Sequence, residues 1–227
     1  MENIITIKGE ESGPTSMILV GVHGNERCGI EAIQKLLPTL QIDKGILHIG
    51  YGNPKAIEQG VRFTEVNLNR MFKDEATIPI EQKNSYEYGR AQYLKGYMDQ
   101  AGALLDIHAS SNQQSQVFAI CESSADEIVK YLPVPLIVSG FDAVQPGGTD
   151  SYMNMIGKVG ICVECGYLAD PSAVIVAEDS ILNFLITTGH STGSTEIKKQ
   201  NRIHIYELYY SKNDIFRLTK PFKDFGL

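Results

Sequence analysis

The 227-residue chain has no excess of positive charge. Its 20 Lys and Arg stand against 27 Asp and Glu, a formal net charge of −7, with an isoelectric point near 5.3. That balance argues against nucleic acid or an anionic membrane as the main partner. No apolar run approaches the ~20 residues of a membrane span, and Met1-Glu2-Asn3 opens no signal peptide, so the cytoplasm is the expected location. Four cysteines, Cys28, Cys121, Cys162 and Cys165, make no disulfide framework for a chain of this size, which fits a reducing compartment. Cys162 and Cys165 form a C-x-x-C, but an odd separation on a strand turns the two thiols to opposite faces. There is no second cysteine pair to complete a zinc cage. Internal repeats and low-complexity segments are also absent.

What is present is a chain long enough to bury a full core, as one domain plus an appendage. Strand-like runs recur at Ile4–Ile7, Met17–Val22, Gly45–Tyr51, Leu104–Ile107, Val117–Ile120, Leu136–Val138 and Val159–Val163. Helical patterns intervene at Arg27–Leu37, Ser85–Gln100, Ser124–Tyr131 and Pro171–Thr187. Asp170-Pro171 reads as a helix start and Gly189 as its stop. Alternation of this kind predicts an α/β fold with a central mixed, largely parallel twisted sheet flanked by helices. Ser139–Asn154 reads as one long loop, and Arg202–Tyr210 with Ile215–Leu218 as a β ribbon. The expected division is therefore a catalytic domain at 1–192 and a short C-terminal β appendage at 193–227.

Three of the predicted strands end in groups that can bind a metal or move a proton. Met17–Val22 runs into Gly21-Val22-His23-Gly24-Asn25-Glu26, and an amphipathic stretch (Ile30, Ile33, Leu36, Leu37) follows. Across such a turn His23 and Glu26 can grip one small cation from adjacent directions, with Gly21 and Gly24 allowing the backbone to turn sharply. A His-x-x-Glu alone is a weak signal. The case rests on further groups at other strand ends, and two appear: His108 after Ala103–Ile107, and Glu164 within Gly160–Gly166. Ligands of open α/β sheets bind outside the carboxyl ends of the strands, so the pattern predicts that His23, His108 and Glu164 converge. Asp106 lies two residues before His108, on the same strand face, and can orient a ligand histidine through its other ring nitrogen.

The segment Arg62-Phe63-Thr64-Glu65-Val66-Asn67-Leu68-Asn69-Arg70-Met71-Phe72 reads as a loop between a strand and a helix. An isolated arginine in such a loop is most often solvated surface. Asn69 and Arg70 together, however, offer a forked set of donors to a substrate carboxylate.

Taken in order, Gly-x-His-Gly-Asn-Glu, Asn-Leu-Asn-Arg-x-Phe, Asp-x-His and Val-Glu-x-Gly resemble the succinylglutamate desuccinylase/aspartoacylase family, a branch of the zinc carboxypeptidase-like hydrolases. The motifs span Gly21 to Gly166. The resemblance implies one zinc ion per chain with His23, Glu26 and His108 as ligands, and Glu164 as the catalytic carboxylate. It also implies Asn69 and Arg70 as the carboxylate-binding pair and Arg62 beside the scissile carbonyl. Two histidines and a carboxylate leave a fourth zinc position open for the attacking water, as catalytic sites require. The implied activity is zinc-dependent amide hydrolysis, a deacylation of a small carboxylate-bearing substrate such as an N-acyl amino acid. In that implied reaction Glu164 would act as general base and Arg62 would stabilise the developing oxyanion. Two other readings stay open: a metallocarboxypeptidase acting on peptide C-termini, and a binding protein on the same scaffold without turnover. The sequence leaves a homo-oligomer open as well.

Aspartoacylase-like members usually carry a further arginine about ten residues before the catalytic glutamate, for a second substrate carboxylate. Here that stretch reads Asn154-Met155-Ile156-Gly157-Lys158, and no arginine occurs between Ser111 and Glu164. The expected substrate therefore has a single carboxylate next to its amide. Among the remaining candidates, His48 reads as a satisfied strand histidine. Neither His190 nor His204 has a metal-ligand partner at short spacing. Tyr152, Tyr206, Tyr209 and Tyr210 read mainly as packing residues. Glu31 reads as an exposed helix acid.

Overall fold

A computed structural model of the chain describes residues 4–206, together with the backbone of two short strands, Tyr209–Tyr210 and Phe216–Arg217. Eight strands make one mixed sheet: β1 (Ile4–Lys8), β2 (Glu11–Val20), β3 (Lys44–Tyr51), β4 (Ala103–Ser110), β5 (Val117–Ile120), β6 (Leu136–Ser139), β7 (Val159–Tyr167) and β8 (Asn201–His204). Their spatial order is β1-β3-β2-β4-β7-β5-β6-β8. β2, β3, β4 and β7 pair in parallel, as do β5, β6 and β8. The antiparallel contacts are β1 with β3 and β5 with β7. The expected mixed, largely parallel sheet is thus what the chain forms.

The central strands are apolar on both sides because helices cover both faces. Side chains alternate along β2, so Ile18 and Val20 enter one core and Met17 and Leu19 the other. The first core includes residues of α1 (Cys28–Leu36) and α7 (Ser172–Thr187). The second is covered by α3 (Tyr86–Met98), α6 (Thr149–Met155) and the segment Leu68, Met71 and Phe72. α7 starts one residue later than expected, with Asp170 Oδ1 accepting from the Ser172 N–H at 2.9 Å. Three further short helices are α2 (Pro54–Gln59), α4 (Asp126–Val129) and α5 (Phe141–Val144).

Two expectations are corrected. Ser139–Asn154 is not one loop: it holds α5 and most of α6, with only Gln145–Gly148 between them. Both helices are short, four and seven residues, and the Gly-Gly pair before α6 masked the pattern. The C-terminal stretch also divides differently. Asn201–His204 is the edge strand of the main sheet, parallel to β6, and only β9 (Tyr209–Tyr210) and β10 (Phe216–Arg217) pair as a ribbon. Ile203 and Ile205 belong to a small apolar cluster with Val138, which gives β8 a reason to join the sheet. Among the described residues, no helix is long and apolar enough to cross a membrane.

Candidate active site

The parallel registers Val20↔Ile107 and His108↔Glu164 bring the carboxyl ends of β2, β4 and β7 side by side. β2 ends at Val20, and the chain turns through residues 21–26 before α1 begins at Cys28. The turn is pressed onto α2 so closely that a Cβ on Gly24 would lie 2.1 Å from the Ala56 carbonyl carbon. The Gly24 N–H donates to Arg62 O at 3.2 Å. Only glycine fits there, which explains its place between His23 and Glu26.

His23, Glu26 and His108 are all buried, and one ligand atom from each lies within 4.8 Å of the others. Nδ1 of His23 is 2.8 Å from Glu26 Oε1, and Nδ1 of His108 is 2.9 Å from Glu26 Oε2. The outer ring nitrogens are committed elsewhere. His108 Nε2 is 2.9 Å from Asp106 Oδ2, an oxygen that also accepts from Thr149 Oγ1 at 2.5 Å. His23 Nε2 is 3.1 Å from Asn67 Oδ1, which accepts the Asn69 N–H at 3.0 Å and is therefore the amide oxygen. Both outer nitrogens must donate to such acceptors, so the Nδ1 atoms are the ones left to face a cation. His23 Nδ1 is buried and has no hydrogen-bond partner despite its short distance to Glu26. Two buried imidazoles beside a carboxylate fit a divalent metal of the zinc type, which would take the place of the proton that His108 Nδ1 holds toward Glu26.

Without a cation, the three groups offset one another's charge. Burial disfavours the Glu26 carboxylate, yet His23 and His108 outweigh it and hold its pKa below the usual range. Arg62 Nη1 at 2.7 Å and the Ala109 N–H at 3.1 Å complete the ring of donors around it. Burial likewise opposes charge on His108, but Asp106 and Glu26 prevail and push its pKa well above 6.5. Burial lowers that of His23.

Glu164 lies on β7 opposite His108 on one side and Phe118 on the other. Its Oε2 is buried with no hydrogen-bond partner. Burial pushes its carboxyl up to about 7; Glu26 and Asp106 add to the effect, and His108 and Arg62 oppose it. A carboxyl in that range can take and return a proton at neutral pH. Arg62 has a half-exposed side chain that reaches over Glu26.

Asn69 and Arg70 lie in a 3-10 turn, Leu68–Arg70, entered through Asn67. Asn69 Oδ1 accepts the Thr149 N–H at 3.1 Å. With its oxygen used there, the amide can act toward a ligand only as a donor. Arg70 Nη1 donates to Asn69 O at 2.5 Å. The turn before α6 packs against this pair. Gly147, at φ +106°, lies so near Arg70 that a Cβ would come within 3.0 Å of its carbonyl oxygen, and Gly147 O accepts the Phe72 N–H at 3.2 Å.

All eight predicted site residues thus lie in or around one centre at the sheet's carboxyl edge. Asn67 and Thr149 belong to it too, though no role was drawn for them from sequence. Asn67 is visible in its motif, but its partner His23 is 44 positions away; Thr149 carries no local signal at all. Asn154 donates to Asp142 at 2.9 Å, and Lys158 to the Asp99 carbonyl at 2.5 Å. His48 pairs with Thr6, His190 Nδ1 is 2.9 Å from the Lys44 carbonyl oxygen, and His204 pairs with Ser139. The hydroxyl of Tyr152 donates to Asp99, and Tyr206 is exposed. The side chains of Tyr209 and Tyr210 lie outside the described residues. All four cysteines are free and buried, and Cys165 meets Cys28 rather than Cys162.

A mixed α/β sheet with a candidate metal site at the carboxyl ends of its central strands defines the class. The chain belongs to the succinylglutamate desuccinylase/aspartoacylase family: the model of that family's catalytic domain matches residues 12–185. It is similar to an N-alpha-acetyl-L-2,4-diaminobutyric acid deacetylase of Halomonas elongata, 23% identical over 218 residues, covering 88% of this chain and 62% of that protein. It is also similar to an aspartoacylase of Xenopus tropicalis, 29% identical over 183 residues, covering 71% and 56%. The chain therefore spans about six tenths of the length of these relatives. Among solved structures, the product-bound ectoine utilization protein EutE (DoeB) of Ruegeria pomeroyi shares the fold. The TM-score is 0.74 at 21% identity, over 92% of this chain and 68% of that one. A succinylglutamate desuccinylase of Vibrio cholerae does so at TM-score 0.75 and 17% identity, over 92% and 67%.

Proposed function

We infer that the protein is a zinc-dependent hydrolase that removes the acyl group from an N-acyl amino acid. The observation that carries this reading is the buried cluster of His23, Glu26 and His108 with the unpartnered Glu164 carboxyl beside it. His23, Glu26 and His108 would hold the metal; Asp106 and Asn67 orient the two imidazoles from behind. When bound, zinc supplies Lewis acidity, which makes water more acidic and polarises a carbonyl. Glu164 accepts the proton of the attacking water and delivers it to the departing amine. Arg62 donates to the oxygen on which negative charge develops. Asn69 and Arg70 hold the substrate's carboxylate and so fix the amide over the metal site. All of these groups lie within residues 1–192, the stretch we assign to catalysis.

The test is to incubate zinc-loaded protein with a panel of N-acyl amino acids and short peptides. Release of free amino acid from the N-acyl compounds is the expected outcome. Cleavage confined to C-terminal residues of peptides would favour a carboxypeptidase. Zinc binding without turnover on either set would point to a binding protein.

A further inference from the structure

The segment from Gly60 to Asn67 carries Arg62 and Asn67, yet it belongs to no strand or helix. Three of its backbone N–H groups, those of Thr64, Glu65 and Val66, find their acceptor in one side chain from another element. Glu87, in the first turn of α3, is fully buried. Its Oε1 accepts the Thr64 N–H at 2.7 Å, the Thr64 hydroxyl at 2.7 Å and the Glu65 N–H at 3.4 Å, and its Oε2 accepts the Val66 N–H at 3.3 Å. A fifth donor, Asn53 Nδ2, reaches Oε1 at 3.1 Å. Asn53 in turn caps α2 through the Ala56 N–H, and Ala56 is the residue against which Gly24 is packed. One helical turn later, Arg90 donates to the carbonyls of Tyr51 and Gly52 at the end of β3. The first half of α3 is thus joined to both segments that flank the candidate metal cluster.

We propose that Glu87 is a positioning residue for the active site: by gathering the amides of 64–66 and the side chain of Asn53, it sets Arg62 and Asn67 relative to His23 and Glu26. The inference rests on the reading of the site as a zinc hydrolase. Glu87 touches none of the reacting groups. Its action passes through the loop, on one side to Arg62 over Glu26, and on the other through Asn67 Oδ1 to His23 Nε2. Five donors around one carboxylate offset the cost of burying it and hold its pKa below the usual range, so it stays ionised. A neutral amide there would set an N–H against donors that need an acceptor.

Two constants read the proposal, and they are separate. In Glu87→Gln, kcat/KM should fall at least ~10-fold at full zinc occupancy, because a shift of about 1 Å in Arg62 is enough to do so. Zinc affinity, measured by chelator competition, should fall by about 10-fold through Asn67. The decisive arm is the Asn67→Ala background, in which the same Glu87→Gln change should no longer weaken zinc. A purely structural role would lower Tm and leave that coupling at zero. Thr64→Val, which removes one donor and keeps the fold, should show a smaller loss of the same kind if Glu87→Gln does not fold. Unchanged kcat/KM and zinc affinity in these variants, or equal zinc losses with and without Asn67, overturn the proposal. Failure of the underlying reading looks different: the unaltered protein would then bind no stoichiometric zinc and turn nothing over, which overturns both.

Discussion

Glu164 combines two properties that conflict. It is buried without a hydrogen bond on Oε2, with its carboxyl pushed up to about 7 from an ordinary 4.5. Because the folded pKa is the higher one, the folded state binds more protons between pH 4.5 and 7, so stability falls as pH rises through that window. Glu164→Gln removes this cost. In the metal-free protein it should raise the unfolding free energy at pH 8 relative to pH 4.5 by an amount on the order of 2 kcal/mol after discounting solvent contact, seen as a higher Tm at pH 8. The same variant should keep zinc and lose kcat by at least ~100-fold, since an amide cannot accept the proton. Near-normal turnover would remove Glu164 from the chemistry. Paired melting curves and steady-state assays settle both points.

His108 gives a second residue-scale expectation. Its raised pKa means that a cation must displace a proton held between Asp106 and Glu26. Zinc affinity should therefore climb as pH rises toward and through that raised pKa, with measurable proton release in weakly buffered titrations. His108→Ala should lose most of the metal while far-ultraviolet dichroism stays native, because the two cores do not depend on it. Stoichiometric zinc in that variant would show that the ligands are misassigned.

At the scale of elements, the turn between β2 and α1 depends on its contact with α2. Gly24→Ala places a methyl group where the Ala56 backbone stands, so the turn must lift away. A loss of about 2–3 kcal/mol in stability is expected, together with weaker zinc binding, because His23 and Glu26 move with the turn. A chemical denaturation curve and a zinc competition assay on one preparation test this. A silent substitution would mean that the turn has slack the packing does not reveal.

Across the whole molecule, the clamp proposed for Asn69 and Arg70 has no cationic counterpart on β7 or α6. Asn154 and Lys158, the nearest substitutes in sequence, are tied to Asp142 and Asp99. N-acyl amino acids with neutral side chains should therefore be preferred over N-acetylaspartate, by roughly ten- to a hundredfold in kcat/KM at equal zinc occupancy. A clear preference for N-acetylaspartate would require a cation supplied from elsewhere, for instance a second subunit.

The sequence by itself determined the α/β class, and it pointed to the candidate residues that the sheet then sets side by side. Those follow from local signals: apolar runs of strand length, and motifs a few residues long at their ends. It did not reveal α2, α5 or α6, which are four to seven residues long and so have too few turns for a period to show. It also assigned β8 to a ribbon, because a strand's partner is chosen by packing, here against Val138, and not by its own composition. The tertiary structure alone decided which ring nitrogens of His23 and His108 turn toward Glu26, since Asn67 and Asp106 take the other two. The same holds for the link from Thr149 to the clamp, 80 positions away, and for Glu87, which stands 21 to 23 positions from the amides it holds. Hydrogen bonds between segments remote in sequence leave no spacing pattern, and they exist only once the sheet has set the segments side by side.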